Sequence, residues 1–193
     1  MQWHGVKTSA QGLAFIAGEE WVEGVDRKCG YDASRKLYFP YRDYRGIPTF
    51  GAGHKIRSGE DFSAGRTIDQ VRDLQSTDMG KVDDAIDRYV RVLAQHQHDA
   101  LASFGFNCGT EALNPVNCTF VRQLNAGDWG APCGPMGLHT WNHSQGQVDA
   151  NLTRRRLAEE HLWVTPWPED PIEVDAALFD LVAMLRSEAP AHA

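Results

Sequence analysis

The sequence predicts an α+β fold, with a small N-terminal lobe that contains short antiparallel strands and a larger lobe of helices. Three observations carry that expectation. Residues 8–20 open with a helix start signal and continue at helical spacing; residues 21–59 change to aromatic and glycine-rich segments broken by turn residues; and from Thr67 onward the apolar residues return to a helical period.

The first helix starts at Thr8, which makes a capping box with Gln11, and Leu13, Ile16 and Ala17 then share one face. One further turn along that face is Glu20. KLYFPYRD (36–43) and PTFGAGHKI (48–56) are the strand candidates of a small antiparallel sheet. Thr67 and Gln70 make a second capping box, after which Ile68, Val71, Leu74, Val82, Ile86, Tyr89, Val90 and Leu93 keep a helical period, with Gly80 expected to interrupt it. The segment from about Asp99 to Phe106 has almost no polar face and reads as a central buried helix. Cys118 to Asn125 and Leu152 to Trp163 read as further helices, separated by the glycine- and proline-containing stretch from Gly127 to Gly137. Beyond Trp163 the joint TPWPEDP cannot be helical throughout. Val174, Ala177, Leu178, Leu181, Val182 and Leu185 then form one apolar stripe. The expected organisation is therefore one domain over residues 1–163 and an extension, residues 164–193, whose amphipathic helix packs back onto it.

Composition excludes several classes of function. Acidic residues outnumber basic ones, 26 to 19, for a formal net charge of −7. That sign opposes binding to a phosphate backbone, so no nucleic-acid partner is expected. No apolar run approaches the roughly 20 residues of a membrane-spanning helix, so membrane insertion is not expected. The N-terminus MQWHGVKTSAQG lacks the charged start, apolar stretch and cleavage site of a secretory signal, and export by that route is not expected. Cys29, Cys108, Cys118 and Cys133 form no CxxC pair in a chain too long to need stapling, and are read as free thiols. His96 with His98, or His139 with His143, have the composition of a metal site. Pro135, Gly137 and Gly146 argue against the regular helix that would align the second pair, so no metal and no cofactor is expected.

The residues that carry chemistry lie in the first third of the chain. Glu19, Glu20 and Glu23 stand at a helix end, and Asp43 and Thr49 follow on a strand-rich segment closing in TFGAGH. Carboxylates held on two elements across a cleft suit glycosidic bond cleavage, one as proton donor to the leaving oxygen and one to position the nucleophile. Acidic residues at a helix end are also commonly solvated, and by themselves these residues leave both readings open.

Read together, the strings resemble the phage-type lysozymes, the endolysin muramidases of glycoside hydrolase family 24. GLAFIAGEE (12–20) looks like the first helix ending in the catalytic glutamate, and YRDYRGIPTFGAGH (41–54) matches the family string of Tyr-x-Asp, Gly, Thr and Gly-x-Gly-His. QHDALASFGFNCG (97–109), LNAGDW (124–129) and NLTRRRLAEEHLW (151–163) match the central helix, the Leu-Asn-x-Gly turn and the C-terminal arginine helix, in order. The resemblance implies a lysozyme-like fold with the active-site cleft between the two lobes. It implies Glu20 as general acid, Asp43 as the carboxylate that stays ionised, and Thr49 as the hydroxyl that with Asp43 holds the attacking water. His54 and Asn107 are assigned to substrate binding, each with a structural hydrogen-bonding role as its alternative. Arg154, Arg155 and Arg156 are read as partners of carboxylates such as Glu159 and Glu160 ahead of an anionic ligand.

The implied activity is that of an N-acetylmuramidase (EC 3.2.1.17), hydrolysing the β-1,4 bond between N-acetylmuramic acid and N-acetylglucosamine in peptidoglycan as a monomer without a cofactor. It would accumulate in the host cytoplasm and reach the wall through a holin. Three departures from the family pattern qualify the site. Trp21 follows Glu20, and an insertion near residues 21–40 leaves 22 residues between Glu20 and Asp43, so that Glu23, with Asp32 nine positions on, is an alternative acid. Cys118 stands where the family tends to have Ser, read as a packing change, and Asn151 replaces a Gly, read as bearing on a turn. A lytic transglycosylase, a catalytically silent wall-binding module and a zinc peptidase are the competing classes.

Overall fold

A computed structural model describes residues 6–20, 30–43, 45–91 and 93–166, with Glu19 and Glu20 described by backbone alone. The chain divides into two compact units, Leu13–Gly80 and a larger one made of Met1–Gly12 with Lys81–Ala193. Helix α1 (Ala10–Glu20) and helix α2 (Ile68–Tyr89) each run across the division.

In the unit Leu13–Gly80 the strands are short and all antiparallel. Strand β1 (Tyr31–Asp32) pairs with β2 (Leu37–Tyr38) as a hairpin. Strands β3 (Tyr41–Arg42), β4 (Pro48–Phe50) and β5 (His54–Lys55) form a three-stranded sheet in that order, with Tyr41 opposite Thr49 and Thr49 opposite Lys55. Strands β2 to β5 fall inside the two expected segments. The β1–β2 hairpin belongs to the inserted segment and carries no alternating pattern. Its turn is closed by the Asp32 carboxylate, which accepts from the Ser34 and Arg35 N–H groups and the Ser34 hydroxyl. The Ser34 hydroxyl above all holds the Asp32 carboxyl below its usual range. A bridge between Tyr38 and Arg66 ties this hairpin to the chain just ahead of α2. Tyr38, Phe50 and Val71 are the buried centre of the unit, with Phe62 stacked on Phe50 at 4.2 Å.

Helix α1 begins one residue later than its sequence signal implies. Ser9, not Thr8, caps it: the Ser9 hydroxyl accepts from Gly12 N–H at 2.9 Å. Thr8 is drawn away by the buried Asp83, to which it donates through both its N–H and its hydroxyl. Ser9 donates in the same way to the buried Asp99. Asp99 packs so closely on Gly12 that a β-carbon there would lie 2.5 Å from its carboxyl carbon, so this helix position has to be glycine.

The second capping box forms as read, with reciprocal bonds between Thr67 and Gln70. Gly80 does not break α2, which continues through it to Tyr89. A single glycine costs a helix only about 1 kcal/mol. The buried neighbours Met79 and Val82 outweigh that amount on either side of it.

The larger unit is arranged around α3 (Gln95–Cys108), buried continuously from His98 to Gly105 and longer at both ends than its apolar run. Helix α4 (Thr119–Asn125) and helix α5 (Ala150–Val164) complete it, with α5 packed along α3. Phe104 of α3 meets Phe120 and Trp141 edge-on at 5.4 and 5.3 Å. The Gly127–Gly137 stretch contains a single 3-10 turn, Ala131–Cys133, and a further turn spans Leu138–Thr140. A third hairpin, β6 (His143–Ser144) with β7 (Gln147–Val148), is too short to leave a pattern in the sequence. Asp149 caps α5 by accepting from Asn151 and Leu152 N–H, which places Asn151 in the first helical turn and not in a connecting turn. Cys118 occupies the N-cap of α4 fully buried, and burial pushes its thiol up to about 11. Cys108, Cys118 and Cys133 are free thiols; Cys29 and the stripe from Val174 to Leu185 lie outside the described residues.

Two helical glycines separate backbone propensity from packing. A β-carbon on Gly80 meets nothing within 4 Å, so Gly80→Ala should raise unfolding free energy by about 1 kcal/mol in a denaturant titration. A β-carbon on Gly105 lies 2.7 Å from Leu113 Cδ1 and 2.9 Å from Val82 Cγ1. The same propensity gain at Gly105 is exceeded by about 1–3 kcal/mol of overpacking, and Gly105→Ala should unfold at lower denaturant.

Candidate active site

Asp43 and Thr49 are brought together by the β3–β4 hairpin. Asp43 follows β3 directly, and its N–H donates to the Ile47 carbonyl at 3.0 Å, carrying the strand pairing one residue beyond the assigned strands. Since Tyr41 and Thr49 are opposite one another, alternation puts Tyr41, Asp43, Ile47 and Thr49 on one face, with Asp43 and Thr49 as diagonal neighbours.

The backbone of one residue, Ile47, orients both side chains. The Ile47 N–H donates to Asp43 Oδ1 at 2.8 Å, and Arg45 N–H donates to the same oxygen at 2.8 Å. The Ile47 carbonyl accepts the Thr49 hydroxyl at 2.9 Å. Asp43 is half-buried and Thr49 is 4% exposed. Among the described residues Asp43 Oδ2 has no hydrogen-bond partner. The Thr49 hydroxyl has given away its only proton and offers lone pairs alone. The site therefore presents two acceptors side by side.

Glu20 is the last residue of α1 in the same unit, the helix-end position that its spacing implies; its side chain lies outside the described residues, as does all of Glu23. Asp32, the partner considered for Glu23, has its carboxylate engaged in the β1–β2 turn.

His54 on β5 is 6% exposed, and both ring nitrogens face carboxylates: Nδ1 to Asp78 Oδ2 at 2.5 Å and Nε2 to Glu60 Oε2 at 3.0 Å. Phe62 packs edge-on against the ring at 5.6 Å. Separations of 24 and 6 residues gave the sequence no means of pairing these groups. Asn107 sits near the end of α3 in the other unit, exposed, with Oδ1 accepting from Arg156 at 3.0 Å. It is neither buried nor a loop cap.

The arginine helix resolves into buried structure. Arg155 and Arg156 both pair with the fully buried Glu159, at 3.2 and 3.1 Å, and Ser103 of α3 donates to the same carboxylate at 2.6 Å. Glu160 pairs with His139 at 2.7 Å. His139 and His143 stand on a 3-10 turn and on β6, so they do not share a helix face. The described residues contain no group of three or more His, Cys, Asp or Glu side chains placed to hold a metal ion, and no helix long and apolar enough to cross a membrane.

The turn after Thr49 admits only glycine at its first position. Gly51 has φ +53°, and a β-carbon there would stand 2.7 Å from Val71 Cγ1. Its carbonyl accepts from Gly53 N–H and from the Tyr41 hydroxyl.

Glu60 supplies a pH test of the His54 cluster. Its carboxyl lies below the ordinary range, chiefly through the Arg57 N–H and next through the His54 ring. A lowered folded-state value means that the stabilisation is complete above the unfolded value near 4.5 and is lost as pH falls through the folded one. Glu60→Gln should therefore flatten the acid limb of the stability curve below about pH 4.5, while melts near neutral pH keep their shape with pH.

The phage lysozyme family model matches residues 37–159. The chain is 39% identical over 120 residues to the endolysin of Salmonella phage P22, covering 60% of this chain and 80% of that one. It is 32% identical over 130 residues to the endolysin of Bacillus phage B103, covering 63% of this chain but 47% of the relative, about half its length. Among solved structures, the muramidase domain of SpmX from Asticaccaulis excentricus has a TM-score of 0.65 at 27% identity, covering 85% of this chain and all of that one. A P22 lysozyme mutant has a TM-score of 0.61 at 30% identity, covering 83% and 99%. With the family model matched over most of its length and the lysozyme-like α+β fold in place, this chain belongs to the phage lysozyme family.

Proposed function

We propose that the protein is an endolysin that hydrolyses the β-1,4 bond between N-acetylmuramic acid and N-acetylglucosamine in bacterial peptidoglycan. The observation that carries the reading is the pair of unoccupied acceptors, Asp43 Oδ2 and the Thr49 hydroxyl oxygen, on one face of a rigid hairpin. A group that touches both must donate to both. Water does so with its two O–H bonds, and both of its lone pairs are then directed away from the two acceptors, free for nucleophilic attack. Asp43 accepts the proton that the water sheds on attack.

Glu20 supplies the proton to the leaving glycosidic oxygen in this reading. A general acid has to keep that proton near neutral pH, which partial removal from water achieves by raising its pKa. No cofactor takes part, and peptidoglycan is the partner of a monomeric chain. The kinship with phage endolysins supports accumulation in the host cytoplasm and passage to the wall through a holin. His54 contributes by holding β5 against Asp78 and Glu60 beneath the turn that follows Thr49, and Asn107 remains a proposed substrate contact.

Glu20→Gln removes the titrating proton at constant shape and should lower the clearing rate of permeabilised cells on the order of 10²-fold or more. Glu23→Gln should keep most of the rate; the opposite pattern would transfer the acid role to Glu23.

Attack by a water held opposite the acid requires the Glu20 and Asp43 carboxyl groups to stand roughly 6.5–9.5 Å apart, and it inverts the anomeric centre. Proton NMR of the first-formed product should show the α anomer. A retained β anomer would make Asp43 a covalent nucleophile, and 1,6-anhydro products would instead identify a lytic transglycosylase.

A further inference from the structure

We propose that Tyr41 is a positioning residue for the attacking water, acting through Thr49. The proposal rests on the water-holding role given above to Asp43 and Thr49. Tyr41 is the cross-strand partner of Thr49. Directly opposed residues on antiparallel strands have Cα atoms about 4.5–5.5 Å apart and side chains on the same face. The Tyr41 hydroxyl donates to the Gly51 carbonyl at 3.1 Å, in the turn that directly follows β4 and two residues past Thr49. The tyrosine side chain therefore spans the face from opposite Thr49 to the turn beyond it. Thr49 is bracketed on one side by its own bond to Ile47 and on the other by the Tyr41 tether to Gly51.

This bracket has a chemical consequence. The Thr49 oxygen is an acceptor only while its proton stays on the Ile47 carbonyl. If β4 slides or twists against β3, the hydroxyl can turn and donate to the water, whose lone pair then points into the protein. The Tyr41 bond acts at the turn just past the end of β4. Gly51 sits at φ +53° ahead of a second positive-φ glycine, Gly53, and its carbonyl is already shared with Gly53 N–H. The bond from Tyr41 is the side-chain link between β3 and that turn. With the link in place the two acceptors favour one water in one orientation over a nucleophile with a single O–H bond.

The test uses the full chain and soluble peptidoglycan fragments, with methanol added as a competing nucleophile. Tyr41→Phe keeps the ring and the strand pairing and removes the tether. All rates are read per folded molecule, well below each variant's melting temperature. The expected result is that the unaltered protein forms only the reducing sugar, while Tyr41→Phe loses about tenfold in kcat with little change in KM and forms methyl glycoside as well. In a Thr49→Val background the Tyr41→Phe change should cost nothing further, since the residue through which it acts is gone. Losses that multiply independently, or a product ratio untouched by Tyr41→Phe, would reduce Tyr41 to an ordinary structural residue and overturn the proposal. A retained anomer from the unaltered protein would overturn the water-holding reading itself, a separate result from failure of the Tyr41 assignment.

Discussion

A carboxylate that leaves water must find donors, and that constraint organises this chain more than its apolar pattern does. In the larger unit Asp83, Asp99 and Glu159 are all at least 97% buried. Asp83 and Asp99 take the N–H and hydroxyl groups of Thr8 and Ser9, which decides where α1 begins and obliges position 12 to be glycine. Glu159 takes two arginines of its own helix and a serine of α3, and so locks α5 onto α3. Removing one partner from such a cluster costs about 3–5 kcal/mol, several times the value of an exposed pair. The arginine-rich string is in this respect a packing device, with the Arg156 guanidinium also lying over the Phe104 ring at 5.1 Å.

The same rule applied incompletely makes the site. Glu159 is closed off from water: Ser103, Arg155 and Arg156 donate to its Oε1, and the Arg156 guanidinium lies 3.1 Å from its Oε2. Asp43 has two N–H donors on one oxygen and, among the described residues, none on the other, and it is only half-buried. The two bonds fix the direction of the open oxygen without neutralising it. Thr49 is treated alike: its proton is committed to the Ile47 carbonyl and its lone pairs are not. A hairpin whose backbone satisfies half of each functional group and no more is rigid and still reactive, which is what preorganised catalysis asks of it.

How much of this was legible depended on whether the information was local. The order of elements, the second capping box, the strands within 36–43 and 48–56, and Glu20 at a helix end are all short-range patterns, and they are where the sequence places them. Gly80 misled because glycine's helix penalty is small against the buried residues around it. Thr8 misled because Asp83, 75 residues away, competes for its hydroxyl. The β1–β2 and β6–β7 hairpins rest on two-residue strands, too short for alternation to appear. At the site, Asp43 and Thr49 were visible through the family string, whereas the Ile47 backbone N–H and C=O that aim them were not: a backbone group carries no side-chain signature.

The insertion between Glu20 and Asp43 separates two questions that the sequence entangles. Its described end is anchored independently of its beginning: Asp32 closes the β1–β2 turn, Phe39 N–H bonds Gly30, and Tyr38 bridges to Arg66. Strand β3 thus enters in register whatever path residues 21–29 take. The Asp43–Thr49 half of the proposed site, from Tyr41 to Gly51, is closed upon itself by its own strand pairing and by the bonds of Tyr41, Asp43 and Thr49. Which glutamate donates the proton is a matter of the other half alone. Under the proposed mechanism, added residues between the two elements are tolerable, because the acceptors for the water are set within eleven consecutive residues and only the acid has to be brought to them.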